Sequence, residues 1–167
     1  MDFFSQNKII SYDNPIDCIE ENAYKFSEET YRDSVDHLII RFKGSWKSYD
    51  IIISWDGINK VLNISSFFEF EIKKKSIKSL YDLISAVNEK VNLGYFHYCS
   101  QHKRIFFKYQ VSTKGFNFLT FEQIEEFLSV VIKECDRFFP VFFLCISRNK
   151  SPDLCINNSL IDKYGQA

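Results

Sequence analysis

The sequence predicts an α+β fold, an antiparallel sheet of about five strands with helices packed mainly on one face. Three observations carry that expectation. Apolar residues alternate with a period of two from His37 to Ile72 and again from Tyr95 to Val111, as they do in strands that bury one side. Helical spacing takes over near Ser76 and near Thr120, where apolar residues recur every three or four positions. The strands are joined by turns too short for a parallel crossover.

The elements follow in order. Asn14-Pro15 opens a first helix, because Asn caps free amides and Pro suits a first helical position that needs no amide donor. Ile16, Ile19, Ala23 and Phe26 share its inner face. Leu38, Ile40 and Phe42 then lie on one side of a strand, with Arg41 and Lys43 on the other. Tyr49, Ile51, Ile53 and Trp55 line the next strand. A third presents Leu62, Ile64, Phe68, Phe70 and Ile72 against Asn63, Ser65, Glu69 and Glu71. Gly44-Ser45 and Asp56-Gly57 supply the turns between them.

Ile77, Leu80, Tyr81, Ile84, Val87 and Val91 form a helical stripe that stops before Asn92-Leu93-Gly94. Strands at about 95–100 and 104–111 come next. Thr120 and Gln123 read as a capping box for a long helix that turns Ile124, Phe127, Leu128, Val131, Ile132 and Cys135 inward. Pro140 is expected to kink or end it, and Ser151-Pro152 to open a short last helix. The expected order is α-β-β-β-α-β-β-α-α, with a loose arm over residues 1–12 and one domain over 13–167.

Composition narrows the function. The chain has 167 residues, the usual size of one domain, and 18 phenylalanines with which to build its core. A net charge of −1 gives no basic field for nucleic acid or an anionic membrane. Met1-Asp2-Phe3-Phe4-Ser5 lacks a secretory signal pattern, and the longest apolar run, Phe138 to Ile146, is too short for a membrane span. The expected location is the cytoplasm. Cys18, Cys99, Cys135, Cys145 and Cys155 show no paired spacing, so free thiols are expected, with no zinc finger and no disulfide scaffold.

Several motifs in collinear order resemble the YbjN family. Asn14-Pro15-Ile16-Asp17 resembles its opening helix, and Tyr49 through Trp55 its strand ending in Ser-Trp. Val87-Asn88-Glu89 with Leu93-Gly94-Tyr95-Phe96 resembles its Ile-Asn-Glu helix end and the Gly-His-Phe behind it. Cys135-Asp136-Arg137-Phe138-Phe139-Pro140 and Lys150-Ser151-Pro152 complete the series. Tyr95 replaces the family's His, His97 its Asp, and Ser147-Arg148-Asn149 its Trp-Gly-Gly. The resemblance implies a fold similar to type III secretion chaperones and a regulatory role without a settled biochemical activity. It further implies dimerisation and capture of extended protein segments.

Catalytic readings find little support. His97, Cys99 and His102 lie close enough in sequence to suggest a thiol or metal site, yet no fourth zinc donor and no nucleophile signature accompany them. Neighbouring carboxylates at Glu20-Glu21, Glu28-Glu29 and Glu125-Glu126 diverge by about 100° on a helix. Lys73-Lys74-Lys75 with Lys78 reads as a solvated loop. No catalytic residue, metal or cofactor is expected.

The apolar residues at nominally outward strand positions are more informative. Ile39, Ile52, Phe67, Tyr95 and Phe106 have the wrong parity for the core, so either helices cover that side or it is a contact surface. The expected function is a non-catalytic, protein-binding regulator or chaperone-like adaptor. It would be a homodimer, and its interaction surface would include Trp46, Trp55, Phe67, Tyr95 and Phe106. A regulator that senses a small apolar ligand between sheet and long helix is the alternative.

Overall fold

The computed structural model describes residues 14–156, apart from 28, 74–75, 117, 149 and 153. The expected arm over 1–12 and the last residues of the expected domain lie outside them. Helix α1 (Pro15–Ala23) starts as its sequence requires, with the Asn14 side chain accepting from the Ile16 amide at 2.9 Å. The Asn14 amide nitrogen also donates to the Val35 carbonyl and to Asp36, tying the helix start to the first turn of the sheet.

The sheet has six strands, where about five were expected. They are β1 (Glu29–Ser34), β2 (His37–Lys43), β3 (Ser48–Asp56), β4 (Val61–Phe68), β5 (Tyr95–Cys99) and β6 (Arg104–Ser112), in the spatial order β1-β2-β3-β4-β6-β5. Every pairing is antiparallel. The additional strand is β1, whose sequence Glu-Thr-Tyr-Arg-Asp-Ser has no apolar alternation because it is an edge with almost nothing buried. Pairing with β2 and the ion pairs of Arg32 to Asp17 and Glu20 of α1, at 2.7 and 2.6 Å, hold it in place. Strand β4 stops at Phe68; Phe70 and Ile72 still pack against the core from the connection that follows.

Helix α2 (Ile77–Asn88) buries Leu80, Leu83, Ile84 and Val87, while Tyr81 stays exposed. Helix α3 (Phe121–Ser147) begins at the expected capping box: the Gln123 amide donates to Thr120 Oγ1 at 3.2 Å and the Thr120 amide to Gln123 Oε1 at 2.9 Å. The helix does not end at Pro140 but continues to Ser147. An interior proline costs about 3 kcal/mol. Here Phe138, Val141 and Phe142 around it are fully buried, so packing offsets that cost. Helical residues recur at 152 and 154–156, where the Cys155 amide donates to the Ser151 carbonyl.

Cys145 and Cys155 are joined in a disulfide, with Cα atoms 6.2 Å apart, which corrects the expectation of five free thiols. The last helical turn folds back on the end of α3 and brings the two together. Their spacing in sequence carries no sign of that. Cys18 and Cys135 are buried and free, and Cys99 is half-buried and free.

The core lies on one side of the sheet. Leu38, Ile40, Ile51, Ile53, Leu62, Ile64, Phe68, Phe96, Ile105 and Phe107 are all buried there beneath the three helices. Aromatic rings interlock across this layer. Phe68 meets Phe139 edge-on at 5.5 Å and Phe142 at 5.7 Å, while Phe96 lies 5.7 Å from Phe138 and 5.1 Å from Phe142.

At the end of this layer, Asp136 of α3 accepts from the Ser45 amide and hydroxyl at 2.8 and 2.9 Å, locking the β2–β3 turn to the helix. Burial beside that carboxylate pushes the Tyr49 phenol far up. The turn begins at Gly44 because a methyl there would overlap the Tyr49 ring and the Asp136 carboxylate. Replacing Gly44 by Ala is expected to destabilise the fold by about 1–3 kcal/mol, as overpacking does. The midpoint of urea unfolding measures it, and an unchanged midpoint would contradict the close approach.

Candidate protein-interaction face

No helix of the described residues covers the other side of the sheet. Strands β2, β3 and β4 alternate buried with half-buried residues, and the half-buried set points outward. Among the described residues, the helical cover that the parity argument allowed is not found.

An aromatic cluster occupies this face at the β4–β6–β5 end. Phe67 and Phe106 are register partners with ring centres 5.7 Å apart, and His97 pairs with Phe106 across the next strand. The His97 ring stacks on Phe106 at 5.5 Å and 14°, and His102 meets the same ring edge-on at 6.3 Å. Arg104 lies over Phe67 at 4.5 Å. Tyr95, 44% exposed, stands 6.1 Å from His97. Ile39 and Ile52 are register partners on the same face, where Ser65 and Lys108 follow Ile52 towards β5. Charged neighbours largely pair among themselves: Arg41 with Asp50 at 2.8 Å and with Glu29 at 3.4 Å, and Arg104 with Glu69 at 2.6 Å.

Three of the five expected surface residues, Phe67, Tyr95 and Phe106, therefore meet on one face. Trp46 sits apart in the β2–β3 turn, 58% exposed. Trp55 follows the parity of Tyr49, Ile51 and Ile53, so it packs against the core from the helix side, with Lys60 over its ring at 5.5 Å. The structure does not bring either tryptophan to the cluster.

The residues of the thiol or metal alternative serve other contacts. His97 and His102 pack on Phe106. No three His, Cys, Asp or Glu side chains gather around a common metal position among the described residues. The space assigned to a small apolar ligand, between sheet and α3, is filled by Tyr49, Phe68, Phe96, Phe107, Phe138 and Phe142, each almost fully buried.

Residues that sequence reasoning quoted only as family motifs have clear structural tasks. The Asn88 side chain accepts from the Phe96 amide at 2.8 Å and donates to the Phe96 carbonyl at 2.9 Å. It thus satisfies outward backbone groups of the edge strand β5, which would otherwise template strand addition. Arg137 donates to the Lys90 carbonyl at 3.0 Å, joining α3 to the end of α2. Their signal in the sequence was a polar residue at the end of an apolar helical stripe.

Burial holds the His97 imidazole below its ordinary pKa, and repulsion from Lys108 adds to the shift. Its Nε2 is buried without a hydrogen-bond partner. The unfolded chain, with a His pKa near 6.5, takes up the proton before the folded one. Stability is therefore complete above about pH 6.5 and lost as pH falls below it. The thermal midpoint is expected to drop between pH 7.5 and 5.5, and His97→Gln to flatten that slope. An equally steep slope in the variant would assign the effect to other groups.

Comparison with known proteins agrees with this architecture. Residues 17–144, most of the chain, match the family described as YbjN, putative bacterial sensory transduction regulator. The crystal structure of YbjN from E. coli, named a putative transcription regulator, is similar with a TM-score of 0.52 at 14% identity. That match covers 75% of this chain and 88% of the other, and shows a shared fold. No curated protein matches. On the family match over 17–144, the chain belongs to the YbjN family.

Proposed function

We propose that this chain is a non-catalytic regulator that acts by holding a protein partner on the open face of its sheet, in the manner of a chaperone-like adaptor. The observation that carries the reading is the Phe67–Phe106–His97 cluster, left uncovered while every described helix packs on the opposite side. A solvated sheet face is normally polar, and contiguous exposed apolar surface marks a contact.

Geometry favours a protein over a small molecule. Six strands about 4.8 Å apart and roughly 20 Å long make a flat face of roughly 600 Å². That approaches the ~800 Å² that each partner contributes to a standard protein interface. The aromatic cluster supplies the kind of anchor that dominates such contacts. Ion pairs at its border, Arg41–Asp50 and Arg104–Glu69, are already satisfied within the chain and form a polar rim. The E. coli neighbour is named a transcription regulator. For this chain, near-neutral net charge supports control through protein contact over direct contact with DNA.

The test compares wild-type and Phe106→Glu chains as baits in lysate, with light scattering on the same samples to tell a second copy from a different protein. Losing an aromatic anchor costs about 2 kcal/mol or more, roughly thirtyfold in affinity. Wild type is expected to retain a partner that the variant loses while circular dichroism still shows the folded domain. Equal retention by both baits, or no retained protein and a monomeric wild type, would overturn the reading.

A further inference from the structure

We propose that Cys145 and Cys155 are a reversible thiol–disulfide site, closed and opened by small anionic thiols of the glutathione class. Cys145 lies near the end of α3 and Cys155 in the helical turn behind it. Their Cα separation of 6.2 Å lies within the range that a disulfide spans without backbone movement.

The two sulfurs differ in access. Cys155 is fully buried, whereas Cys145 is half-buried and lines a groove of about 770 Å³ between the start of α2 and the end of α3. A reagent can reach Cys145 from the groove, and Cys155 is positioned behind it to resolve the product. Lys73, Lys150 and Glu71 also line this groove, beside the hydroxyls of Ser76 and Ser151. The cations and hydroxyls suit the carboxylates of a glutathione-like molecule, and Glu71 its ammonium group. The other cysteines stand without a second cysteine beside them: Cys18, Cys99 and Cys135 are free thiols.

Closure proceeds by two exchanges. The Cys145 thiolate attacks one sulfur of glutathione disulfide and expels one glutathione thiolate, leaving a mixed disulfide on Cys145. The Cys155 thiolate then attacks the Cys145 sulfur and expels the second glutathione. Two protein thiols are oxidised, one glutathione disulfide is reduced to two thiols, and the two cysteine protons pass to them. Two molecules of reduced glutathione reverse the sequence. The bond spans a sequence separation of 10 and fixes residues 150–152 as one wall of the groove. A loop of that length restrains opening of the segment by about a hundredfold.

The experiment uses the full chain carrying Cys99→Ser, which removes the half-buried free thiol from the readout. Glutathione disulfide is expected to yield a peptide cross-linked between Cys145 and Cys155 by mass spectrometry. Reduced glutathione should open it without loss of circular dichroism. Amides at 154–156 should then exchange with solvent up to about a hundredfold faster. Adding Cys155→Ser should trap one glutathione on Cys145, whereas adding Cys145→Ser should trap none. A cross-link that forms or opens only on unfolding would overturn the proposal. So would a Cys155→Ser chain that stays folded and takes up no glutathione.

Discussion

The ring of Phe68, at the end of β4, packs against Tyr49, Phe96, Phe139 and Phe142, and this contact decides where α3 lies. Rings from two neighbouring strands, from β5 and from the helix interdigitate there, each burying a large apolar area. With α3 fixed across the centre of the sheet, α1 takes the β2–β3 side and α2 the β5 side of the same layer. All the helical cover that the described residues provide is thereby spent on one face. The aromatic cluster on the other face is a consequence of that one-sided arrangement.

Much of this was legible in the sequence because burial writes itself as periodicity. The alternation of Leu62, Ile64 and Phe68 with Asn63 and Ser65 marked β4 and its inner side, and the Thr120–Gln123 pair marked the start of α3. The same alternation exposed Ile39, Ile52, Phe67, Tyr95 and Phe106 as residues of the wrong parity. Where burial is absent, the signal fails. Strand β1 is held by backbone pairing and by Arg32, neither of which needs apolar residues. Tertiary packing carried α3 past Pro140 against its local tendency. The Cys145–Cys155 contact depends on a chain reversal beyond any local rule. Turn position and strand parity hold Trp46 and Trp55, expected at the same surface, away from the cluster.

The motifs that mark the family in this chain are joints more than reactive groups. Asn88 closes the edge of β5, Asp136 fastens the β2–β3 turn, and Arg137 ties α3 to the end of α2. Each satisfies backbone groups where two elements meet, which is where an unpaired polar group costs most. Motifs that keep a scaffold together say little about what it binds. The outward face carries its own contacts instead, the Phe67, Phe106 and His97 rings and the Arg41–Asp50 and Arg104–Glu69 pairs.

Photo-crosslinking from defined positions tests this division most directly. A photoreactive phenylalanine analogue at position 106, on the open face, is compared with the same group at position 81, exposed on α2, in living cells. A discrete protein adduct is expected from position 106 and none from position 81. An adduct from position 81 with nothing from position 106 would place the working surface on the helices and contradict that division.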